Sequence, residues 1–150
     1  MKKNDLAPDF TLNDQAGHER TLSTMLLDGP VVLFFYPAAL SPGCTKESCH
    51  FRDLAGEFAA LGAQSVGISM DSAERQGQFA LKHSLGYPLL ADVDGDVARR
   101  YGVKRSLSVL KVKRATFVIG RDRRILDVIS SEVSMNTHAD RALEVLRENA

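Results

Sequence analysis

The chain has 150 residues, enough for one domain that hides roughly 68–70% of the surface its unfolded form exposes, so neither a disulfide nor a metal is needed to hold it folded. Lysine plus arginine and aspartate plus glutamate both number 19, giving a formal charge of zero. That balance lacks the electrostatic footprint of a binder of nucleic acid or anionic membranes and points to small neutral substrates or protein partners.

The start, Met1-Lys2-Lys3-Asn4-Asp5, leads to Pro8 and Asp9 in place of an apolar leader core, and the longest apolar run is far below spanning length. The expectation is a soluble, cytoplasmic protein. Asp9 to Asn13 and His18 to Leu22 alternate around Asp14-Gln15-Ala16-Gly17, the pattern of an N-terminal β-hairpin. Val31 to Tyr36 is continuously apolar, as a strand buried on both faces should be. From Cys44 to Leu61 the residues Phe51, Leu54, Ala55, Phe58 and Leu61 recur at helical spacing, and Gly62 ends the run. Gln64 to Met70 reads as the next strand, and Asp71 and Ser72 can cap a helix running to about Leu85. Leu89 to Ala91 is a short strand and Val97 to Tyr101 a short helix. Arg114 to Ile119 and Ile125 to Ser130 flank a polar turn at Gly120 to Arg124, and Thr137, with Asp140 three residues on, opens a last amphipathic helix through Leu146. A hairpin, then βαβ units, then a hairpin and a helix give a mixed sheet with helices on both faces, the layout of a thioredoxin-like fold. No repeat, low-complexity tract or linker divides the chain, so a single domain over 1–150 is expected.

Cys44 lies eight residues beyond the apolar run, after Pro37-Ala38-Ala39-Leu40-Ser41-Pro42-Gly43, with a helical pattern directly behind it. Unpaired N–H groups and the macrodipole at a helix N-terminus favour the thiolate form of a cysteine placed there. Cys49 follows five residues later. Two cysteines in a reducing compartment point to redox chemistry or metal binding before a structural staple. Cys44, Cys49 and His50 offer three donors at a spacing unlike structural zinc sites, and His18, His83 and His138 are scattered.

Pro37, Ser41 and Cys44 match the pattern Pro-x-x-x-Thr/Ser-x-x-Cys of peroxiredoxins, and Pro42-Gly43-Cys44-Thr45 with Glu47 and Cys49 resembles the peroxiredoxin Q, or bacterioferritin comigratory protein, subgroup. Ala7-Pro8-Asp9-Phe10, Phe51-Arg52-Asp53, Pro88 to Asp92, Tyr101-Gly102-Val103 and Arg114-Ala115-Thr116-Phe117 are similar to that subgroup too. Two features depart from it. Position 41 is serine where threonine is commoner, which keeps the hydroxyl and loses a methyl that restricts its rotamer. The stretch Lys104 to Lys113 lacks the aromatic and glycine residues of the subgroup.

The resemblance implies a cysteine peroxidase that uses no haem, flavin or metal, takes hydrogen peroxide and organic hydroperoxides, and is reduced by thioredoxin or in some cases glutaredoxin. Ionisation of a thiol cannot by itself explain such catalysis. A free thiol of pKa ~8.5 is about 3% thiolate at pH 7, so lowering its pKa to ~6 raises the reactive fraction only ~30-fold, or ~2 kcal/mol. An acceleration of ~10⁶ needs groups aimed at the leaving oxygen. Arg114, the Ser41 hydroxyl and the N–H groups beginning the helix are the candidates, with Pro37 walling off water and offering no competing N–H. Cys49 would resolve the sulfenic acid formed on Cys44.

Residues five apart in an α-helix have a Cα separation of ~8.6 Å, beyond the roughly 4.4–6.8 Å that a disulfide accepts. Oxidation should therefore unwind residues 44 to about 51, where Thr45, Ser48, Cys49 and His50 are indifferent helix formers. Resolution within one chain removes the chemical need for a second subunit, so a monomer is expected, with a dimer left open. A thiol–disulfide oxidoreductase would want Cys-x-x-Cys, and a non-catalytic redox sensor on the same fold is the other alternative. Glu47 suits a first helical turn, Arg52 can pair with Asp53 or reach the thiol, and Phe34, Phe35 and Phe58 read as core. The charged stretch Arg121 to Arg124 reads as a solvated turn.

Overall fold

The computed structural model describes residues 1–105 and 112–149; residues 106–111, inside the departing stretch Lys104 to Lys113, lie outside the described part. The N-terminal alternation forms β1 (Thr11–Asn13) and β2 (Glu19–Thr21), antiparallel with Leu12 opposite Arg20. Buried Asp14 holds their turn by accepting from the N–H groups of Ala16 and His18 and from Arg20 Nε. A short helix, α1 (Leu22–Met25), leads to β3 (Val31–Phe35), whose five side chains are all buried.

The single helix expected over Cys44 to Leu61 is two: α2 (Pro42–Asp53) and α3 (Ala55–Ala60), separated at Leu54, which has φ −98° and ψ 10°. Gly56, a poor helix former, follows the break. The joint still keeps Phe51 and Phe58 stacked at 5.7 Å on the core side, so the hydrophobic spacing survives the bend. Gly62, at φ +70°, ends the run as expected.

Next come β4 (Gln64–Ser69), α4 (Ala73–His83), β5 (Leu89–Ala91) and α5 (Asp96–Arg100). Ser72 caps α4 by accepting from Arg75 N–H at 3.2 Å, whereas Asp71 turns the other way, to the loop before α2. The chain closes with β6 (Ala115–Ile119), β7 (Ile125–Ser130) and α6 (Met135–Glu148). The capping box expected from Thr137 and Asp140 does not form. The helix starts two residues earlier behind Ser134, Thr137 shares a hydrogen with the Ser134 hydroxyl at 2.6 Å, and Asp140 pairs with His50 on α2. The polar turn at 121–124 is not fully solvated: Ala7 N–H donates to Arg123 O, and Leu6 bridges Arg124.

The main sheet has the order β5-β4-β3-β6-β7, with β3 parallel to β4 and antiparallel to β6. Side chains of β3 alternate between two cores. Val31, Leu33 and Phe35 face Phe10, α1 and α5, while Val32, Phe34 and Tyr36 face α2, α3, α4 and α6. Helices thus cover both faces, as the thioredoxin-like layout requires. Gly67 lies opposite Phe34 in the ladder; a Cβ there would come within 2.7 Å of Leu89 and 3.1 Å of the Phe34 and Tyr36 rings, so its bare backbone makes room for the aromatic layer. The hairpin shields the outer edge of β5 through an Asp14–Leu90 bridge and through the Gln15 side-chain amide, whose Nε2 donates to Tyr87 O and whose Oε1 accepts from Leu89 N–H. β3, the loop after it and α2 are thereby held on a rigid platform.

Candidate active site

The loop between β3 and α2 is fixed by groups at the end of β4 and the start of α4. Asp71 Oδ2 accepts from Ala39 N–H at 2.7 Å and from Ser69 Oγ at 2.6 Å, and Arg75, paired with Asp71, donates to Ala39 O. Leu40 adopts φ +68°, a conformation that costs a leucine about 1 kcal/mol or more and persists only where the surroundings impose it. Pro37 stands half-buried at the mouth of this loop, where it offers no N–H. Ser41 occupies the N-cap position, but its hydroxyl donates back to Ala38 O at 2.8 Å and does not cap the helix.

Pro42 takes the first helical position, so Cys44 sits in the first turn of α2. Thr45 N–H reaches Ser41 O at 2.9 Å, while among the described residues no acceptor takes the N–H of Gly43 or Cys44. The thiol is fully buried and free, and Cys49 is free and partly exposed on the same helix.

Arg114, just before β6 and only 6% exposed, reaches this turn with two nitrogens: Nη2 lies 3.2 Å from Cys44 Sγ, and Nη1 donates to Glu47 Oε1 at 2.8 Å. Such burial sets it apart from an ordinary surface ion pair. The guanidinium is itself set in place by Gly43, where a Cβ would stand 3.3 Å from Nη2 and 3.5 Å from Met135 Sδ. The backbone N–H of Arg114 donates to Glu132 Oε1, which also accepts from Arg105.

Glu47 does not lie in the first helical turn as expected, because α2 begins at Pro42 and not at Cys44, and its side chain is fully buried. Burial pushes its carboxyl up to about 7, against the opposing pull of Arg114. Its second oxygen faces His138 on α6, buried on all sides, with Oε2 3.5 Å from Nδ1. Sequence reasoning did not select either residue. Glu47 lies three positions after Cys44 and so shares its helix face, a signal that could have found it; His138 is brought in by tertiary packing alone. Arg52, left between two readings, pairs with Asp53 and donates to His83 O, away from the thiol. Phe34, Phe35 and Phe58 are core residues, as expected.

Groups that the sequence separates by up to 70 positions therefore meet here: the first turn of α2 and the cation before β6 at the sulfur, and the carboxyl of Glu47 on the second nitrogen of that cation. The arrangement holds a thiol beside a fixed positive charge, with free N–H groups in the same turn, and suits nucleophilic attack in which charge develops on a departing atom.

The AhpC/TSA family model matches residues 4–128. The chain is 38% identical over 147 residues to the chloroplastic peroxiredoxin Q of Sedum lineare, covering 98% of this chain and 78% of that protein. Its structure superposes on the crystal structure of peroxidoxin BcpB from Mycobacterium tuberculosis with a TM-score of 0.96 and 58% identity, covering 100% and 99% of the two chains. It also superposes on a structure of the bacterioferritin comigratory protein of Xanthomonas campestris, a protein with alkyl peroxide reduction activity, with a TM-score of 0.86 and 28% identity over 93% and 91% of the two chains.

Proposed function

Because the chain belongs to the AhpC/TSA family and is a thiol-dependent peroxidase of the peroxiredoxin Q type, we propose that Cys44 is the sulfur that attacks the peroxide, Cys49 the thiol that resolves it, and Arg114 the group that receives the developing charge. The observation that carries this reading is the buried guanidinium 3.2 Å from Cys44 Sγ. The thiolate attacks one peroxide oxygen, an S–O bond forms as the O–O bond breaks, and the electron pair leaves on the second oxygen, which takes up a proton to become water or an alcohol. Arg114 and the free N–H groups of Gly43 and Cys44 stabilise that departing charge. Ser41 gives its own hydrogen to Ala38 O, so it meets the peroxide as an acceptor of the O–H. Pro37 limits water at the mouth of the loop.

Sulfur oxidised by two electrons at Cys44 is then a sulfenic acid, and attack by Cys49 forms the disulfide with loss of water. Both cysteines lie on α2, so the helix must unwind before they can meet. The contacts to be broken are Arg114 to Glu47, Tyr87 Oη–H to Ser48 O at 2.7 Å, and His50 to Asp140. Phe51, stacked on Phe34 at 4.0 Å, supplies a natural limit to the unwinding.

Hydrogen peroxide and organic hydroperoxides are the substrates in this reading, the organic ones supported by the alkyl peroxide reduction activity of the Xanthomonas relative, and thioredoxin or glutaredoxin returns the disulfide to thiols. An enzyme that needs such a reductant belongs in a reducing compartment, the cytoplasm, and no helix among the described residues is long and apolar enough to cross a membrane. The chain works as a single-domain monomer, since both cysteines are its own. Coupled peroxide consumption with thioredoxin and its reductase tests the scheme. Cys44→Ser should abolish turnover, whereas Cys49→Ser should consume one equivalent and stop. Normal cycling by Cys49→Ser would remove Cys49 from the mechanism, and intact mass after one equivalent of peroxide, with the bridge mapped, shows which sulfurs join.

A further inference from the structure

Reached from Arg114 through its second nitrogen lies a buried pair, Glu47 and His138, to which the scheme above gives no chemical role. His138 Nε2 is 2.8 Å from Ser131 O; a carbonyl only accepts, so this nitrogen carries a hydrogen. Nδ1 is 2.8 Å from the Thr116 hydroxyl, which can donate or accept, and 3.5 Å from Glu47 Oε2. That carboxyl oxygen is buried with no hydrogen-bond partner, although Oε1 of the same group is held by Arg114. With both groups stripped of their protons, Oε2 and the imidazole Nδ1 would face each other in a dry interior with no hydrogen between them, a repulsion that neither Arg114 on Oε1 nor the Thr116 hydroxyl on Nδ1 removes. One proton between them removes the conflict.

We propose that Glu47 and His138 share a single proton across this gap, and that His138 is a positioning residue which, through Glu47, leaves the charge of Arg114 to the Cys44 sulfur. Charge counting gives the reason. With the proton present, the Glu47–His138 pair is neutral overall and the one buried cation faces one anion, the thiolate. Without it, Arg114 is divided between two anions, and both the thiolate and the departing oxygen lose stabilisation. Burial pushes Glu47 up to about 7 and holds the His138 imidazole below its usual range, with nearby Arg114 adding to the second effect. Both directions put the shared proton on the carboxyl side. The other charged or titratable groups facing the pair are Arg114 before β6, which also holds Cys44, Glu132 after β7, which disfavours a further negative charge on Glu47, and the Tyr87 phenol before β5.

This inference rests on Arg114 acting on Cys44 as proposed above, and the experiment separates the two. In a Cys49→Ser background, alkylation of Cys44 by a neutral reagent and its single reaction with hydrogen peroxide are followed against pH for the parent, Glu47→Gln, His138→Gln and Arg114→Lys. The peroxide rate of the parent should rise as the sulfur ionises and then fall about tenfold as the shared proton is lost. Glu47→Gln, which carries a permanent hydrogen on the amide, should keep the rise and lose the fall. His138→Gln still reaches Ser131 O yet offers no basic nitrogen, so its fall should begin about one pH unit lower. In infrared spectra near neutral pH, the parent should show a protonated-carboxyl band that Glu47→Gln lacks. A His138→Gln profile superimposable on the parent, or a fall retained by Glu47→Gln, would overturn the proposal. Unaltered Cys44 reactivity in Arg114→Lys would instead overturn the reading on which it rests.

Discussion

His50 and Asp140 join the two helices that meet at the thiol: the imidazole Nε2 on α2 lies 2.7 Å from the carboxylate on α6, one residue beyond Cys49. The aspartate side chain is 58% exposed, so the pair contributes no more than about 1 kcal/mol. If Cys49 resolves Cys44 as proposed, the pair acts on the rate, because α2 then unwinds while Asp140 stays on α6. Asp140→Asn should speed closure of the Cys44–Cys49 bridge by up to about fivefold, the factor that the pair's stabilisation allows. Rapid quenching after one equivalent of peroxide, followed by mass measurement, reads the rate. Unchanged closure would mean that this pair survives the unwinding.

Gly43 separates stability from catalysis. An added Cβ would press on the Arg114 guanidinium at 3.3 Å and on Met135 Sδ at 3.5 Å, both side-chain atoms that can give by a few tenths of an ångström. Alanine is the better helix former by up to about 1 kcal/mol. Gly43→Ala should therefore keep or slightly raise the urea midpoint while slowing peroxide reduction about tenfold through displacement of the guanidinium. Equal loss of both would point to general disruption of the turn.

Arg114→Lys keeps the charge and loses the fork. One ammonium cannot sit at once 3.2 Å from Cys44 Sγ and 2.8 Å from Glu47 Oε1 in the geometry that two nitrogens of a planar group provide. Removal of a group aimed at developing negative charge typically slows a reaction by about 10²–10³. A decrease of that order in the rate of Cys44 oxidation, measured in stopped flow, is the expected result; a change below threefold would deny the guanidinium its role.

Much of this centre was legible in the residues, and the part that was not has a physical reason. A continuous apolar run placed β3, capping residues placed α4 and the order of elements placed the two-sided sheet, because each of these signals lies locally along the chain. Cys44 stood out because an apolar strand, a loop, a thiol and a helical pattern follow one another directly in sequence. The break at Leu54 was missed, since Phe51 and Phe58 keep helical spacing across it. The start of α6 was also displaced. Thr137 and Asp140 fit a capping pattern, but Asp140 meets a better partner, His50, 90 positions away. His138 belongs to the same class: it reaches Glu47 only because α6 packs on α2, and nothing in its neighbours along the chain encodes that contact.

Glu47 should also leave its mark on the pH dependence of folding. Burial raises its carboxyl from the ordinary 4.5 to about 7, with Arg114 opposing the shift. Between those values the folded protein keeps a proton that the unfolded chain has released, so this group's contribution to stability is complete below about pH 4.5 and disappears as pH rises through 7. The total change is on the order of 3 kcal/mol. Glu47→Gln has no proton to lose at this position, so relative to the parent its unfolding free energy should rise by that order from acid to mildly alkaline pH. Urea unfolding of both proteins at a series of pH values measures the difference. A gap that stays constant across the range would mean that the carboxyl titrates alike in the folded and unfolded chain, with Arg114 balancing the loss of water around it.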